Sequence, residues 1–98
     1  MFKKICIIGC GLIGSSIARA VKKESLSNKI VSSNRSDLVN KKVIELNIVD
    51  DSSSDTKKMV INSDLTIIAT PLSSYEEVIL KIKDSLKNGS ILTDVGSV

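Results

Sequence analysis

The sequence predicts an α/β fold built on a doubly wound parallel sheet, and three observations carry this prediction. Strand-like and helix-like segments alternate along all 98 residues. The strand-like segments are short apolar runs rich in β-branched residues, which is typical of strands buried on both faces of a parallel sheet. The first of them leads directly into a glycine-rich turn and then a helix. This order of elements predicts a sheet with strand order 3-2-1-4-5.

The first half of the chain holds two strands and two helices. Residues 4–8 form an apolar run that predicts the first strand, and residues 29–33 predict the second. The helix between them carries apolar residues at helical spacing and closes on two lysines, where the helix dipole favours cations. Ser36 is the expected N-cap of the next helix. The inner stripe of that helix is expected to be Val39, Val43 and Leu46.

The second half continues the alternation. Ile48 and Val49 predict a weak third strand, residues 50–55 a loop, and residues 56–61 a short helix. Residues 65–69 predict a buried strand that ends before the only proline, and residues 90–94 predict the last strand. A capping box of Ser73 and Glu76 is expected to open the helix between them, which ends at Asn88-Gly89. Its apolar face is expected to be Tyr75, Val78, Ile79, Ile82 and Leu86.

Composition excludes several classes of protein. The net charge of +3 comes from dispersed lysine pairs, and only one Tyr and one Phe are present, so nothing indicates a nucleic-acid surface. No apolar run approaches the roughly 20 residues that span a bilayer. With no histidine and no C-x-x-C pair, the sequence predicts no metal site. Cys6 and Cys10 are expected to be free thiols in a reducing compartment.

The opening stretch IIGCGLIGSSIARA, residues 7–20, has two interpretations. Two lysines followed by an apolar run and Ala-Arg-Ala resemble a secretory signal, and Ile-Ile-Gly-Cys resembles a lipoprotein cleavage box. However, the apolar run before Cys10 is only about four residues, which is short of a signal core. The predicted sheet also needs this run as its central strand. We therefore expect a cytoplasmic protein.

The same stretch contains the motif G-x-G-x-x-G at Gly9, Gly11 and Gly14. It follows a predicted strand and opens a helix, which is the context of a dinucleotide-binding turn in a Rossmann-type fold. The first glycine permits the tight turn, the second lets the backbone approach a pyrophosphate, and the third lets helix and strand pack closely. Leu12 and Ile13 begin the helix whose N-terminus faces the phosphates. The alternative is that the glycines serve only a turn.

The stretch after the second strand predicts the choice of cofactor. NAD sites usually place an acidic side chain there to accept from the ribose 2′-hydroxyl. Here Asn34 occupies that place, and Arg35, Ser36 and the preceding serines are able to hold a 2′-phosphate. NADP is therefore the predicted cofactor, with NAD as the second choice. The alternative is that Arg35 is merely solvated and Asn34 serves the turn.

Two more segments reach the same edge of the sheet. Thr70-Pro71 ends the fourth strand at the edge where ligands bind in such folds. Pro71 is expected to line the nicotinamide side of the crevice. The alternative is that this proline only ends the strand. Ser97 follows the fifth strand and is a candidate to donate to substrate or nicotinamide. As the penultimate residue it is equally expected to be disordered.

Three segments together resemble the prephenate and arogenate dehydrogenases of tyrosine biosynthesis: ICIIGCGLIGSSIARAVK, LTIIATP and ILTDVGSV. The resemblance covers residues 1–98 as a nucleotide-binding domain. It implies hydride transfer from prephenate or arogenate to NAD(P) with loss of carbon dioxide. This resemblance implies that the three glycines hold the pyrophosphate and that Asn34-Arg35 hold the adenosine ribose. It also implies that Thr70-Pro71 line the crevice and that Ser97 is the active-site serine.

The chain also departs from that family's pattern. The catalytic histidine lies beyond the GSV motif, and this chain has no histidine. The helical C-terminal domain that completes the substrate pocket and the homodimer interface is expected to be absent, so we expect cofactor binding without turnover. Three alternatives remain: the cofactor domain of another reductase, of the pyrroline-carboxylate or 6-phosphogluconate type, a nucleotide-sensing module without chemistry, or, more distantly, a methyltransferase.

Overall fold

The strands pair in the predicted order. A computed structural model of the protein describes residues 1–95. Within this range the sheet has the order β3-β2-β1-β4-β5, and every neighbouring pair is parallel. The strands are β1 (Phe2–Ile8), β2 (Ser27–Ser33), β3 (Asp51–Ser53), β4 (Leu65–Ile68) and β5 (Ile91–Asp94). The α-helices are α1 (Leu12–Lys23), α2 (Asp37–Glu45), α3 (Thr56–Val60) and α4 (Tyr75–Ile82), with 3₁₀ turns at Leu72–Ser74 and Lys83–Ser85.

The core divides into two layers, one on each face of the sheet. Ile5 and Ile7 of β1 pack on one face against Ala18 and Val21 of α1 and Val43 of α2. On the opposite face the alternate residues of β1 pack against α3 and α4. The second layer contains Cys6, Ile8, Val31, Met59, Val60, Ile68, Val78 and Ile82. Because β1 is covered on both faces, its sequence is a continuous apolar run.

The register of the central strands aligns their carboxyl ends. Ile8 of β1 is opposite Ser33 of β2 and Ile68 of β4. The segments that follow these residues are the glycine turn, Asn34-Arg35 and Ala69-Thr70-Pro71. The three segments therefore leave the sheet side by side, which is where open α/β sheets bind ligands. No helix among residues 1–95 combines the length and apolar character needed to cross a bilayer.

The prediction for the third strand was wrong by a few residues. Ile48 and Val49 are buried, but β3 is Asp51–Ser53, inside the predicted loop. The hydroxyls of Ser52 and Ser32 on neighbouring strands hydrogen-bond to each other at 2.6 Å, which satisfies both buried groups. Hydrophobicity alone could not identify a strand whose one buried side chain is a serine.

The helix boundaries also needed correction. The predicted capping box is not formed, because Ser73 lies inside a 3₁₀ turn in which the Ser74 N–H donates to the Pro71 carbonyl. The regular helix α4 ends at Ile82 rather than at Asn88-Gly89. In α2 the cap prediction was correct, since Ser36 Oγ accepts from the Val39 N–H at 3.3 Å. Of its predicted inner stripe only Val43 is buried; Val39 and Leu46 are exposed and line a surface cleft with Cys10 and Ser15.

Candidate functional site

The turn between β1 and α1 needs glycine at two places for reasons internal to the fold. Gly9 has φ +86°, and a Cβ there would lie 2.7 Å from Thr70 Cγ2. A Cβ on Gly14 would overlap the carbonyl oxygen of Gly9. The first glycine therefore lets the turn pass β4, and the third lets α1 pack on the turn.

Gly11 is different, because a Cβ there would meet no protein atom within 4 Å. No side chain caps α1 at this residue. The first-turn N–H groups of α1 have no intrahelical acceptors, and the helix dipole adds partial positive charge. Leu12 and Ile13 leave 87% and 41% of their surface exposed beside them. The space above Gly11 is thus open and suited to a phosphate or carboxylate.

Asn34 holds the glycine turn from the side of β2. Its Oδ1 accepts from the Cys10 N–H, and its Nδ2 donates to Asn40 Oδ1 at 3.0 Å. Asn40 Nδ2 donates to the Asn34 backbone carbonyl at 3.0 Å, and Ser52 Oγ also donates to Asn40 Oδ1. The Asn34 carboxamide is therefore engaged with the backbone of the turn and with α2 on both of its ends.

A cleft of about 270 Å³, the Arg35 cleft, opens beside Asn34. It lies between the end of β2 and the first two turns of α4. The side chains that give it its chemistry are Ser33, Asn34, Arg35, Thr56, Glu77 and Lys81, with Gly9, Thr70 and Pro71 at the end nearest the glycine turn. Its charged groups are two cations, Arg35 and Lys81, and one anion, Glu77.

Arg35 is the residue after β2 whose side chain is available in this cleft. Its side chain is 81% exposed, and its guanidinium lies 3.4 Å from the Glu77 carboxylate. Ser32 is fully buried, and Ser33 shares a hydrogen bond of 2.9 Å with Thr56 Oγ1 on the cleft wall. Ser36 caps α2 and does not line the cleft. The hydroxyls of Ser33 and Ser36 therefore already have hydrogen-bond partners within the protein, and Ser32 is inaccessible.

A second cleft of about 320 Å³, the Leu12 cleft, lies on the other side of the turn. It is lined by Gly11, Leu12, Ile13, Ala69, Thr70, Pro71, Leu72 and Val95. Thr70 and Pro71 border both clefts, so the two clefts are adjacent. Thr70 Oγ1 is buried and has no hydrogen-bond partner within residues 1–95. A buried hydroxyl without a partner is costly, so Thr70 Oγ1 is an unsatisfied polar atom on a residue that borders both clefts.

The structure brings most of the predicted cofactor residues to this edge. Gly9, Asn34 and Arg35 line the Arg35 cleft, Gly11, Leu12 and Ile13 line the Leu12 cleft, and Thr70-Pro71 border both. Gly14 allows α1 to pack closely on the turn, and Ser36 caps α2. The prediction for Ser97 lies outside the described residues. Sequence reasoning missed Glu77 and Lys81, which are distant in sequence, and no local motif marks them.

The cysteines and carboxylates show no sign of metal chemistry in the part of the chain described. Cys6 and Cys10 are buried free thiols. Burial raises the pKa of the Cys6 thiol to about 12, so it stays protonated. Among residues 1–95 no three His, Cys, Asp or Glu side chains are grouped as metal ligands.

Comparison with known proteins decides which dinucleotide-binding family this geometry represents. The family model for the nucleotide-binding domain of prephenate dehydrogenase matches residues 17–98. The chain belongs to the prephenate dehydrogenase family. It is 38% identical over 96 residues to prephenate dehydrogenase of Lactococcus lactis subsp. cremoris and 35% identical over 98 residues to cyclohexadienyl dehydrogenase of Zymomonas mobilis. It spans 27% and 33% of the length of these relatives, respectively.

Solved structures agree with this assignment at the level of the fold. Prephenate dehydrogenase from A. aeolicus, in complex with hydroxyphenyl propionate and NAD+, superposes with a TM-score of 0.91 at 22% identity, covering all of this chain and 35% of that one. Synechocystis arogenate dehydrogenase gives a TM-score of 0.88 at 26% identity over 97% of this chain and 33% of that one. The predicted Rossmann-type fold is thereby confirmed. The family resemblance is confirmed by the family model and the relatives: the chain is a nucleotide-binding domain of this family.

Proposed function

We propose that the chain binds a nicotinamide dinucleotide across the carboxyl edge of its sheet, with the pyrophosphate over Gly11. The observation that carries this proposal is the contrast within the turn. Gly9 and Gly14 are needed by the fold, whereas the space above Gly11 is open and faces the uncapped N-terminus of α1. A glycine that the fold does not need, at the positive end of a helix, is what a closely approaching pyrophosphate requires.

The two clefts then divide the dinucleotide between them. The Arg35 cleft takes the adenosine half, and the Leu12 cleft takes the nicotinamide half beside Pro71. Thr70 borders both clefts, and rotation of its side chain lets the buried Oγ1 gain a partner from the bound ligand. When bound, the nicotinamide supplies a hydride acceptor.

The cofactor that this chain prefers is NADP, with NAD as the weaker ligand. Arg35 offers a largely exposed guanidinium at the cleft, and the side chain that follows β2 is the neutral Asn34 rather than a carboxylate. A guanidinium recognises phosphate through paired, charge-assisted hydrogen bonds. Asn34 contributes indirectly, because its carboxamide fixes the glycine turn at Cys10.

In the longer protein that its relatives represent, this domain serves the oxidation of prephenate or arogenate, with hydride transfer to the cofactor and loss of carbon dioxide. The relatives named for prephenate and cyclohexadienyl dehydrogenase support this role. Ser97 is proposed as the serine next to the nicotinamide. A homodimer is the proposed assembly of the longer protein, and the free cysteines support a reducing, cytoplasmic location.

Calorimetric titration of the purified chain with NADP and with NAD, in one buffer at one salt concentration, tests the proposal. We expect both to bind and NADP to bind more tightly. Arg35→Gln should weaken NADP binding about ten- to hundredfold, the range for loss of a charged hydrogen bond, and change NAD binding little. Arg19→Gln removes the same charge from an exposed position on α1 and serves as the control.

Each result has a definite meaning. No binding of either dinucleotide would refute the dinucleotide site. Tighter binding of NAD would refute the NADP preference while leaving the site intact. Equal effects of Arg35→Gln and Arg19→Gln would show that Arg35 acts only through net charge and does not contact the phosphate.

A further inference from the structure

The Arg35 cleft contains one carboxylate, and it is placed against Arg35. Glu77 lies in the first turn of α4, and its Oε1 is 3.4 Å from Nη2 of Arg35. The two residues are separated by 42 positions in sequence, so only the packing of α4 beside β2 brings them together. Both side chains are largely exposed, 81% for Arg35 and 70% for Glu77. The pair therefore bridges the cleft at its solvent side without being buried by it.

A carboxylate and a phosphate compete for the same face of a guanidinium. Arg has only donors, arranged in a planar fork that binds either anion through two parallel hydrogen bonds. A 2′-phosphate that engages Arg35 must displace Glu77 or share the guanidinium with it. In the second case it also meets the repulsion of a negative charge a few ångströms away. Lys81, one helical turn after Glu77, lines the same cleft.

We infer that Glu77 is a specificity-determining residue of the proposed dinucleotide site: its carboxylate competes with the cofactor's 2′-phosphate for Arg35. This inference rests on the proposed function. It adds that Glu77, a residue on α4, weakens the preference of the wild-type chain for the 2′-phosphorylated cofactor. A cofactor with a free 2′-hydroxyl leaves the Arg35–Glu77 pair in place.

The fold permits a clean test of this residue. An ion pair this exposed contributes little to stability, so neutralising Glu77 leaves the domain folded. Glu76 is its matched control, because it is also exposed in the first turn of α4 but does not line the cleft. Glu76→Gln and Glu77→Gln change the net charge and the interaction with the helix dipole equally. Thermal unfolding of both variants checks that they remain as stable as each other.

The test uses two small probes that differ only in the group at issue, adenosine 2′,5′-bisphosphate and 5′-AMP, titrated calorimetrically alongside NADP and NAD. We expect Glu77→Gln to tighten binding of the bisphosphate and of NADP about fivefold. Binding of 5′-AMP and NAD should stay within about twofold, and Glu76→Gln should change none of them. In an Arg35→Gln background the gain from Glu77→Gln should largely disappear, because the two residues act on each other.

Three results would overturn the inference. Equal effects of the two glutamate variants would show that only net charge matters. Weaker binding of 5′-AMP and NAD by Glu77→Gln would show that the carboxylate accepts from the ribose hydroxyls instead of competing for Arg35. Failure of the wild-type chain to bind either dinucleotide would refute the proposed function itself, and the inference with it.

Discussion

The side-chain oxygen of Asn34 accepts a hydrogen bond from the backbone N–H of Cys10, joining the end of β2 to the glycine turn. The other end of the same carboxamide donates to Asn40 on α2. A carboxamide is suited to this position because it both accepts and donates, whereas a carboxylate only accepts. The residue that stands where NAD sites place an acid thus positions the turn that is proposed to hold the pyrophosphate.

Asn34→Ala should destabilise the domain by about 1–3 kcal/mol, because it leaves the Cys10 N–H without its acceptor and removes the Nδ2 donor to Asn40 Oδ1 in a half-buried site. It should also weaken dinucleotide binding by loosening the turn. Urea denaturation gives the first quantity and calorimetric titration the second. Asn28→Ala, at an exposed position of β2, is the control and should be nearly neutral. An Asn34→Ala variant as stable as Asn28→Ala would contradict the bracing role.

Gly11→Ala and Gly14→Ala should separate binding from folding. The new methyl group at residue 11 meets no protein atom within 4 Å, so stability should change by less than about 0.5 kcal/mol. Dinucleotide affinity should fall at least tenfold, because the methyl occupies the space proposed for the pyrophosphate.

At residue 14 the methyl group collides with the Gly9 carbonyl, and overpacking should cost about 1–3 kcal/mol despite the better helix propensity of alanine. Urea denaturation of both variants and titration of the folded ones measure the two effects. Unchanged dinucleotide binding by Gly11→Ala would argue against the proposed position of the pyrophosphate.

Thr70→Val tests the unpartnered hydroxyl where the two clefts meet. Because Thr70 Oγ1 is buried without a partner within residues 1–95, replacing it by a methyl group should leave stability unchanged or higher. Dinucleotide binding should weaken, because the hydroxyl is proposed to gain a hydrogen-bond partner from the ligand. Thr66→Val is the matched control, since Thr66 Oγ1 is likewise buried and unpartnered but lies within β4 and lines neither cleft. Equal binding by the two variants would remove Thr70 from the site.

Asp64 should make stability depend on acid pH. The Lys87 ammonium and the backbone N–H of Lys3 hydrogen-bond to its carboxylate and lower its pKa from 3.8 to about 2. Because the pKa is lower in the folded state, the stabilisation is complete above about pH 4 and is lost as pH falls towards 2.

Asp64→Asn should therefore be less stable than wild type at neutral pH, and the difference should shrink through this window. Denaturant unfolding from pH 7 to pH 2 measures it, with the exposed Asp84→Asn as the control. A difference that does not vary with pH would show that the ion pair is not its source.

The alternation of apolar runs and helical stripes sufficed to predict the sheet order, because each central strand is covered on both faces and so reads as a short continuous run. The same reasoning failed at β3, where the buried side chain is Ser52, which bonds to Ser32 of β2. It also failed at the start of α4, where Pro71 imposes a 3₁₀ turn ahead of the helix. Both errors concern segments held by hydrogen bonds rather than by apolar burial.

By itself the sequence determined the fold, the glycine turn and the family, because strand periodicity and glycine spacing are local properties of the chain. Tertiary structure decided what the residues around the turn do. It directed Asn34 to the backbone of Cys10 and Glu77 to the guanidinium of Arg35. These partners come from different elements at one edge of the sheet. Their pairing depends on how parallel strands align their ends, which no local pattern encodes.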